Sequence, residues 1–163
     1  MGKRIFQAQR VMRYRMKHLI FLDANIIMYA LGKEHPLRNP CRKYLKKIKK
    51  GEITVVTNTE VLQEILHRYF SIRMSTMAEE AYIAMKTFCR EIYPVTLNEV
   101  EKALALLKES PSINPRDAIH AATMFNNGIE KILSTDPHFD VVQGIERIAP
   151  GSETRKNHGL ENY

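Results

Sequence analysis

Apolar residues arrive along this chain in two kinds of run. Residues 18–22 (HLIFL) and 53–56 (ITVV) are short and unbroken, and read as buried strands. Residues 92–95 make a third short strand interrupted by Pro94, 129–133 a fourth and 145–148 a fifth. Elsewhere the apolar positions recur at helical spacing. A helix covers 25–30. Asn39-Pro40 opens another that stops at Gly51, with proline just inside the start and glycine at the stop. Thr57-Asn58-Thr59-Glu60, Thr76-Met77-Ala78-Glu79 and Thr96-Leu97-Asn98-Glu99 each have the spacing of a capping box. They head helices with Val61, Leu62, Ile65, Leu66 and Tyr69 on the first apolar face, a second helix to about 91, and a third to near 110. Asn114-Pro115 begins the last helix, which stops at Gly128.

Strands thus alternate with helices, which predicts a small, mostly parallel sheet between two helical layers, a Rossmann-like three-layer α/β/α fold. In such sheets the ligand site lies beyond the carboxyl ends of the strands. The chain has no GxGxxG and no GxxxxGK[ST], so a nucleotide cofactor has no sequence support.

With 163 residues, 44% of them hydrophobic and 26% charged, one domain with its own core is expected. No apolar run approaches the roughly 18 residues of a membrane span, and no apolar stretch precedes Leu19, so neither an anchor nor a secretory signal is expected. Cys41 and Cys89 are far apart and outside any CxxC pair, which points to free thiols in a cytoplasmic protein. The net charge of +7 is unevenly placed. Residues 1–17 hold Lys3, Arg4, Arg10, Arg13, Arg15 and Lys17 with no acid, leaving only +1 for residues 18–163. The expected organisation is therefore a basic arm at 1–17, a catalytic domain at 18–149 and a polar tail at 150–163. Met16 is an alternative start that would remove most of the arm. A second basic block lies at 33–50, where Arg38, Arg42, Lys43, Lys46, Lys47 and Lys50 are the candidate nucleic-acid contacts. The competing reading is a solvated helix face.

The acids fall at strand ends. Asp23 ends the first strand and Asp136 the fourth. Glu64 lies in the helix after the second strand, and Asp117 opens the helix before the fourth. Each has an ordinary explanation by itself. Asp23 is placed to cap a helix, Glu64 to pair with Arg68, Asp117 to complete a cap with Asn114, and Asp136 to start a turn before Pro137. Four carboxylates converging on one edge repel one another unless a cation sits among them, and oxygen donors suit Mg²⁺ or Mn²⁺, one or two ions per site. Phosphodiester hydrolysis needs such a cluster to activate water and to offset charge.

The same residues resemble a known family. Phe21-Leu22-Asp23-Ala24-Asn25-Ile26-Ile27, Val61-Leu62-Gln63-Glu64-Ile65-Leu66, Pro115-Arg116-Asp117-Ala118-Ile119-His120-Ala121-Ala122 and Leu133-Ser134-Thr135-Asp136 resemble, in order, the four motifs of the PIN-domain nucleases. The resemblance covers about residues 18–148. It implies a doubly wound α/β/α domain and a metal-dependent endoribonuclease with Asp23, Glu64, Asp117 and Asp136 as metal ligands and catalytic acids. Thr135 matches a supporting hydroxyl, Asn25 a polar position bracing the first Asp, and Asp140 an auxiliary acid. Proteins of this body length that look like this are commonly VapC-type toxins, so RNA, an antitoxin protein and a second copy of the chain are the implied partners.

Two other readings belong to different classes: a non-catalytic PIN-fold RNA-binding or adaptor module, and an RNA-processing nuclease that is not a toxin. The adaptor reading expects one of the four acids to be lost, and all are present. An aspartyl phosphatase needs an acid at position 25, which is Asn, and a receiver domain a basic residue at 136, which is Asp. His67, His120 and His138 form no HxxxH and are assigned to packing or surface roles.

Overall fold

The computed structural model describes residues 18–152. The basic arm and most of the polar tail lie outside the described residues. Five strands form one sheet: β1 (Leu19–Leu22), β2 (Thr54–Asn58), β3 (Cys89–Tyr93), β4 (Lys131–Leu133) and β5 (Glu146–Ile148). Six α-helices connect them: α1 (Ala24–Leu31), α2 (Arg38–Lys49), α3 (Thr59–Ser71), α4 (Ser75–Phe88), α5 (Leu97–Glu109) and α6 (Pro115–Asn126). A 3₁₀ turn covers Pro137–Val141.

The strand order is β3-β2-β1-β4-β5, and every pairing is parallel. A parallel strand flanked on both sides is covered above and below, so β1 is apolar at every position and wholly buried. Right-handed crossovers from β1 to β2 and from β2 to β3 put α1–α4 on one face. The return from β3 to β4 then carries α5 and α6 across the other. The apolar clusters follow that division. One gathers Phe21, Leu22, Ile27, Ile65 and Met85 with the sheet, while the other joins Ala103 and Ile113 to Ala118, Ala121 and Ala122 of α6. Small residues along α6 let it lie close to α5.

Several expected boundaries move. The third strand begins at Cys89 rather than 92, because pairing with β2 draws residues 89–91 out of the preceding helix; Pro94, which lacks a donor, stops it. The predicted box at Thr57–Glu60 does not form. Thr57 is the buried penultimate residue of β2, where its hydroxyl donates to the Leu22 carbonyl at 2.9 Å, and Asn58 caps α3 by accepting from Val61 N at 3.1 Å. The box at Thr76–Glu79 is likewise absent. Arg73, in the left-handed region at φ 59°, turns the chain directly into α4, and Thr76 lies inside the helix. The box at Thr96–Glu99 is present in full. Cys41 and Cys89 are buried free thiols, pushed up to about 11 and about 12 by burial.

Candidate active site

The strand order reverses between β1 and β4, so the chain leaves their carboxyl ends in opposite directions and opens a crevice there. Asp23 and Asp136 flank it directly. α3 starts at the same edge, because it follows β2, and brings Glu64 in its second turn. α6 runs toward the amino end of β4, so its first turn, with Asp117, also stands at this edge.

Asp23 occupies the cap position of α1, yet its side chain makes no capping bond. Its Oδ2 instead accepts from Asn25 Nδ2 at 2.6 Å and from Ser134 Oγ at 2.5 Å. Asn25 in turn accepts from Thr135 N at 3.1 Å, and Ser134 Oγ accepts from Asp136 N at 3.0 Å. The loops after β1 and β4 are thereby tied together around one carboxylate. Asn25, the polar position named by the resemblance, donates to Asp23. The bracing hydroxyl is that of Ser134; Thr135 contributes its backbone N–H.

Glu64 does not pair with Arg68. Its Oε1 lies 3.4 Å from Arg116 Nη1, and its Oε2 lies 3.8 Å from His120 Nε2. Arg116 also reaches Glu60 at 3.4 Å, so Glu60, freed from the absent capping box, belongs to the rim of the cleft. Asp117 is held by Asn114, whose Oδ1 accepts from Asp117 N at 3.0 Å and whose amide donates to Asp117 Oδ2. Asp136 Oδ1 accepts from His138 N at 2.9 Å and lies 3.1 Å from His138 Nδ1, which also stands 3.8 Å from Asp117. Two groups result, Asp23–Glu64–His120 and Asp117–Asp136–His138, each with ligand atoms within 4.8 Å of one another.

The electrostatics match the crowding. Burial raises Asp23 above the ordinary carboxylate range against the opposing pull of His120 and Ser134, and Glu64 adds to the rise. Asp117 is pushed up to about 6, by burial first and then by Asp136 and Asp23. Burial also works against the ionised form of Glu64, but His120 and Arg116 outweigh it and hold this carboxylate low. Both groups offer two carboxylates and an imidazole, a donor set that fits a divalent cation.

Asp140 stands apart. Arg147 holds both its oxygens at 2.7 Å, and the same guanidinium donates to the Ser134 carbonyl at 3.3 Å. Its acid is thus spent on positioning Arg147 behind the site. The basic block divides. Gly151, beyond β5, lies against the Pro40 ring, so α2 starts at the acid-bearing edge. Four residues separate its end from β2, at the opposite edge. Arg38, Arg42 and Lys43 are therefore at the near end, and Lys46, Lys47 and Lys50 at the far end. Arg42 Nε donates to the Ala30 carbonyl at 2.8 Å and secures the end of α1.

Sequence reading missed His120, His138, Ser134 and Arg116. His120 lies three residues after Asp117 and so on the same helix face, which is the signal that marks it. Ser134 becomes visible only when β1 and β4 are known to be neighbours.

A sequence model of the PIN domain matches residues 20–145. Ribonuclease VapC13 of Mycobacterium tuberculosis is 35% identical over 131 residues, 80% of this chain and 100% of that protein. The crystal structure of Mycobacterium tuberculosis VapC20, described as a sarcin–ricin-loop-cleaving toxin, has a TM-score of 0.66 at 21% identity, covering 80% of this chain and 99% of that one. A toxin–antitoxin complex from Klebsiella pneumoniae has a TM-score of 0.59 at 15% identity, over 80% and 97% of the two chains.

Proposed function

The chain belongs to the PIN domain family, and from that premise we propose that it is a metal-dependent endoribonuclease, the toxin of a toxin–antitoxin pair. The observation that carries this reading is the convergence of Asp23, Glu64, Asp117 and Asp136 at the β1/β4 switch point, together with relatives named as ribonucleases over nearly the whole domain.

A bound Mg²⁺ or Mn²⁺ would acidify a water and offset the charge gathering on the phosphate. Asp23, Glu64, Asp117 and Asp136 are the residues that would hold it. Ser134 and Asn25 both engage Oδ2 of Asp23, which leaves Oδ1 for a ligand and fixes the direction in which it points. Arg116 and His120 keep Glu64 ionised, so it is ready to ligate at neutral pH. Arg116, half-exposed at the rim, offers a permanent positive charge to a phosphate of the substrate strand. Asn114 and Asn25 restrict the side chains of the acids they touch, so little reorganisation is needed when the site fills.

RNA is the proposed substrate, and an antitoxin protein the proposed partner, in keeping with the solved toxin–antitoxin complex that shares this fold. A homodimer would cover the apolar stripe of Leu97, Val100 and Leu104, exposed along one face of α5. No helix of the described residues is long and apolar enough to cross a membrane.

Cleavage of RNA by the purified chain should require added Mg²⁺ or Mn²⁺ and stop in EDTA, with activity restored by excess cation. Undiminished cleavage in the chelator would sink the metal-dependent reading.

A further inference from the structure

His120 is 1% exposed, and neither of its ring nitrogens has a hydrogen-bond partner. An imidazole buried in that condition costs about 1–3 kcal/mol relative to a satisfied one. Its contact with Glu64 is 3.8 Å, beyond hydrogen-bond range, and the Phe21 ring lies 5.4 Å away between centroids. A histidine kept only for packing would have its nitrogens paired or replaced by carbon. Here Nε2 instead faces the carboxylates of Asp23 and Glu64, and one ligand atom from each of the three lies within 4.8 Å of the others.

We propose that His120 is a nitrogen ligand of the cation held by Asp23 and Glu64. The inference rests on the metal-dependent reading above. Two carboxylates and a neutral imidazole balance the charge of a divalent ion, and the ion satisfies Nε2, one of the two unpaired nitrogens. Phe21, wholly buried in the central strand, packs beside the ring, which is itself buried with Nε2 toward Glu64 before any ion arrives. A nitrogen donor favours transition metals over Mg²⁺, which prefers oxygen and gives up its water reluctantly. The centre should accordingly select Mn²⁺ over Mg²⁺ more strongly than carboxylates alone would.

The test is pulsed electron spin-echo spectroscopy of the full chain loaded with Mn²⁺, in which a directly bound nitrogen modulates the echo. The other candidate nitrogen at the cleft belongs to His138, whose side chain is 58% exposed, so His138→Gln is compatible with folding. The expected result is nitrogen modulation in the parent chain and in His138→Gln, and its loss in His120→Leu. Calorimetry should show Mn²⁺ affinity falling by roughly tenfold in His120→Leu, with a smaller fall for Mg²⁺. Mn²⁺ bound to His138→Gln without nitrogen modulation would overturn the proposal, and so would equal losses of Mn²⁺ and Mg²⁺ affinity in His120→Leu. If His120→Leu fails to fold, the His138→Gln spectrum decides alone. Failure of Mn²⁺ to bind the parent chain would defeat the metal reading and this proposal together. The measurement contains no RNA, so a failure of the nuclease reading leaves its outcome unchanged.

Discussion

The hydroxyl of Ser134 lies 2.5 Å from Oδ2 of Asp23, a contact between residues 111 positions apart. It exists because β1 and β4 are neighbours, with Leu22 in register with Leu133. The same hydroxyl accepts from Asp136 N, so one oxygen positions acids from two strands.

Ser134→Ala should therefore cost about 1–2 kcal/mol of stability, since a buried carboxylate loses a donor. It should lower ribonuclease activity by roughly 10- to 100-fold, as loss of a group that orients metal ligands does. Thr135→Val should do little, because this residue contributes its backbone N–H, which valine retains. Chemical denaturation and a cleavage assay on both variants give the comparison. An inactive Thr135→Val beside an active Ser134→Ala would transfer the bracing role back to position 135.

Asp23→Asn should abolish cleavage while leaving the metal-free protein as stable as the parent or more so. Asparagine keeps the shape and removes one charge from a repelling cluster. The side chain of Asp23 makes no capping bond, so α1 loses nothing by the change. Full turnover by Asp23→Asn would remove this carboxylate from the chemistry.

The crowded acids also set a pH dependence. Asp117 ionises at about 6 in the fold against 3.8 ordinarily, and Asp23 is shifted the same way, with His120 and His138 opposing in part. A carboxyl raised by folding favours the folded state while it is protonated, and that contribution is lost as pH climbs through the folded value. The opposite contributions of Glu64, Glu99 and Asp140, all lowered, are complete about one pH unit above 4.5 and do not vary beyond that. The metal-free protein should thus lose on the order of 1 kcal/mol between about pH 5.5 and pH 7. Saturating Mn²⁺ should abolish or reverse the trend. Thermal melts in EDTA and in Mn²⁺ across this range measure it; a flat melting temperature in EDTA would show that the acids do not repel as described.

The two ends of α2 should behave differently toward RNA. Lys43 lies toward the acid-bearing edge and Lys50 at the far one, both exposed. Lys43→Gln should flatten the salt dependence of RNA binding by about 0.7, the slope of one contact on a single strand, and Lys50→Gln should leave it unchanged. Equal slopes for both variants would return the block to a solvated helix face.

Much of this fold is legible in residue order. Unbroken apolar runs such as 18–22 mark strands covered on both faces, and Asn114-Pro115 and Thr96–Glu99 mark helix starts, because those signals act within one turn of chain. Two of the misplaced starts share one cause. Thr57 and Cys89 carry plausible local signals, yet each obeys a neighbour from another part of the chain: the Leu22 carbonyl and strand β2.

The four acids were likewise visible, since an acid at the end of an apolar run is a local fact. Their roles were not. Whether Asp23 caps a helix or faces a ligand depends on Ser134, and whether Glu64 pairs with Arg68 or meets Arg116 and His120 depends on how α3 and α6 approach at the sheet edge. Sequence by itself determined the alternation of elements and which residues carry charge, because propensity and patterning act over a few residues. Only the tertiary structure decided the partners of that charge, because hydrogen bonding and Coulomb interaction depend on distance in space, and the β1/β4 reversal brings together groups more than a hundred residues apart.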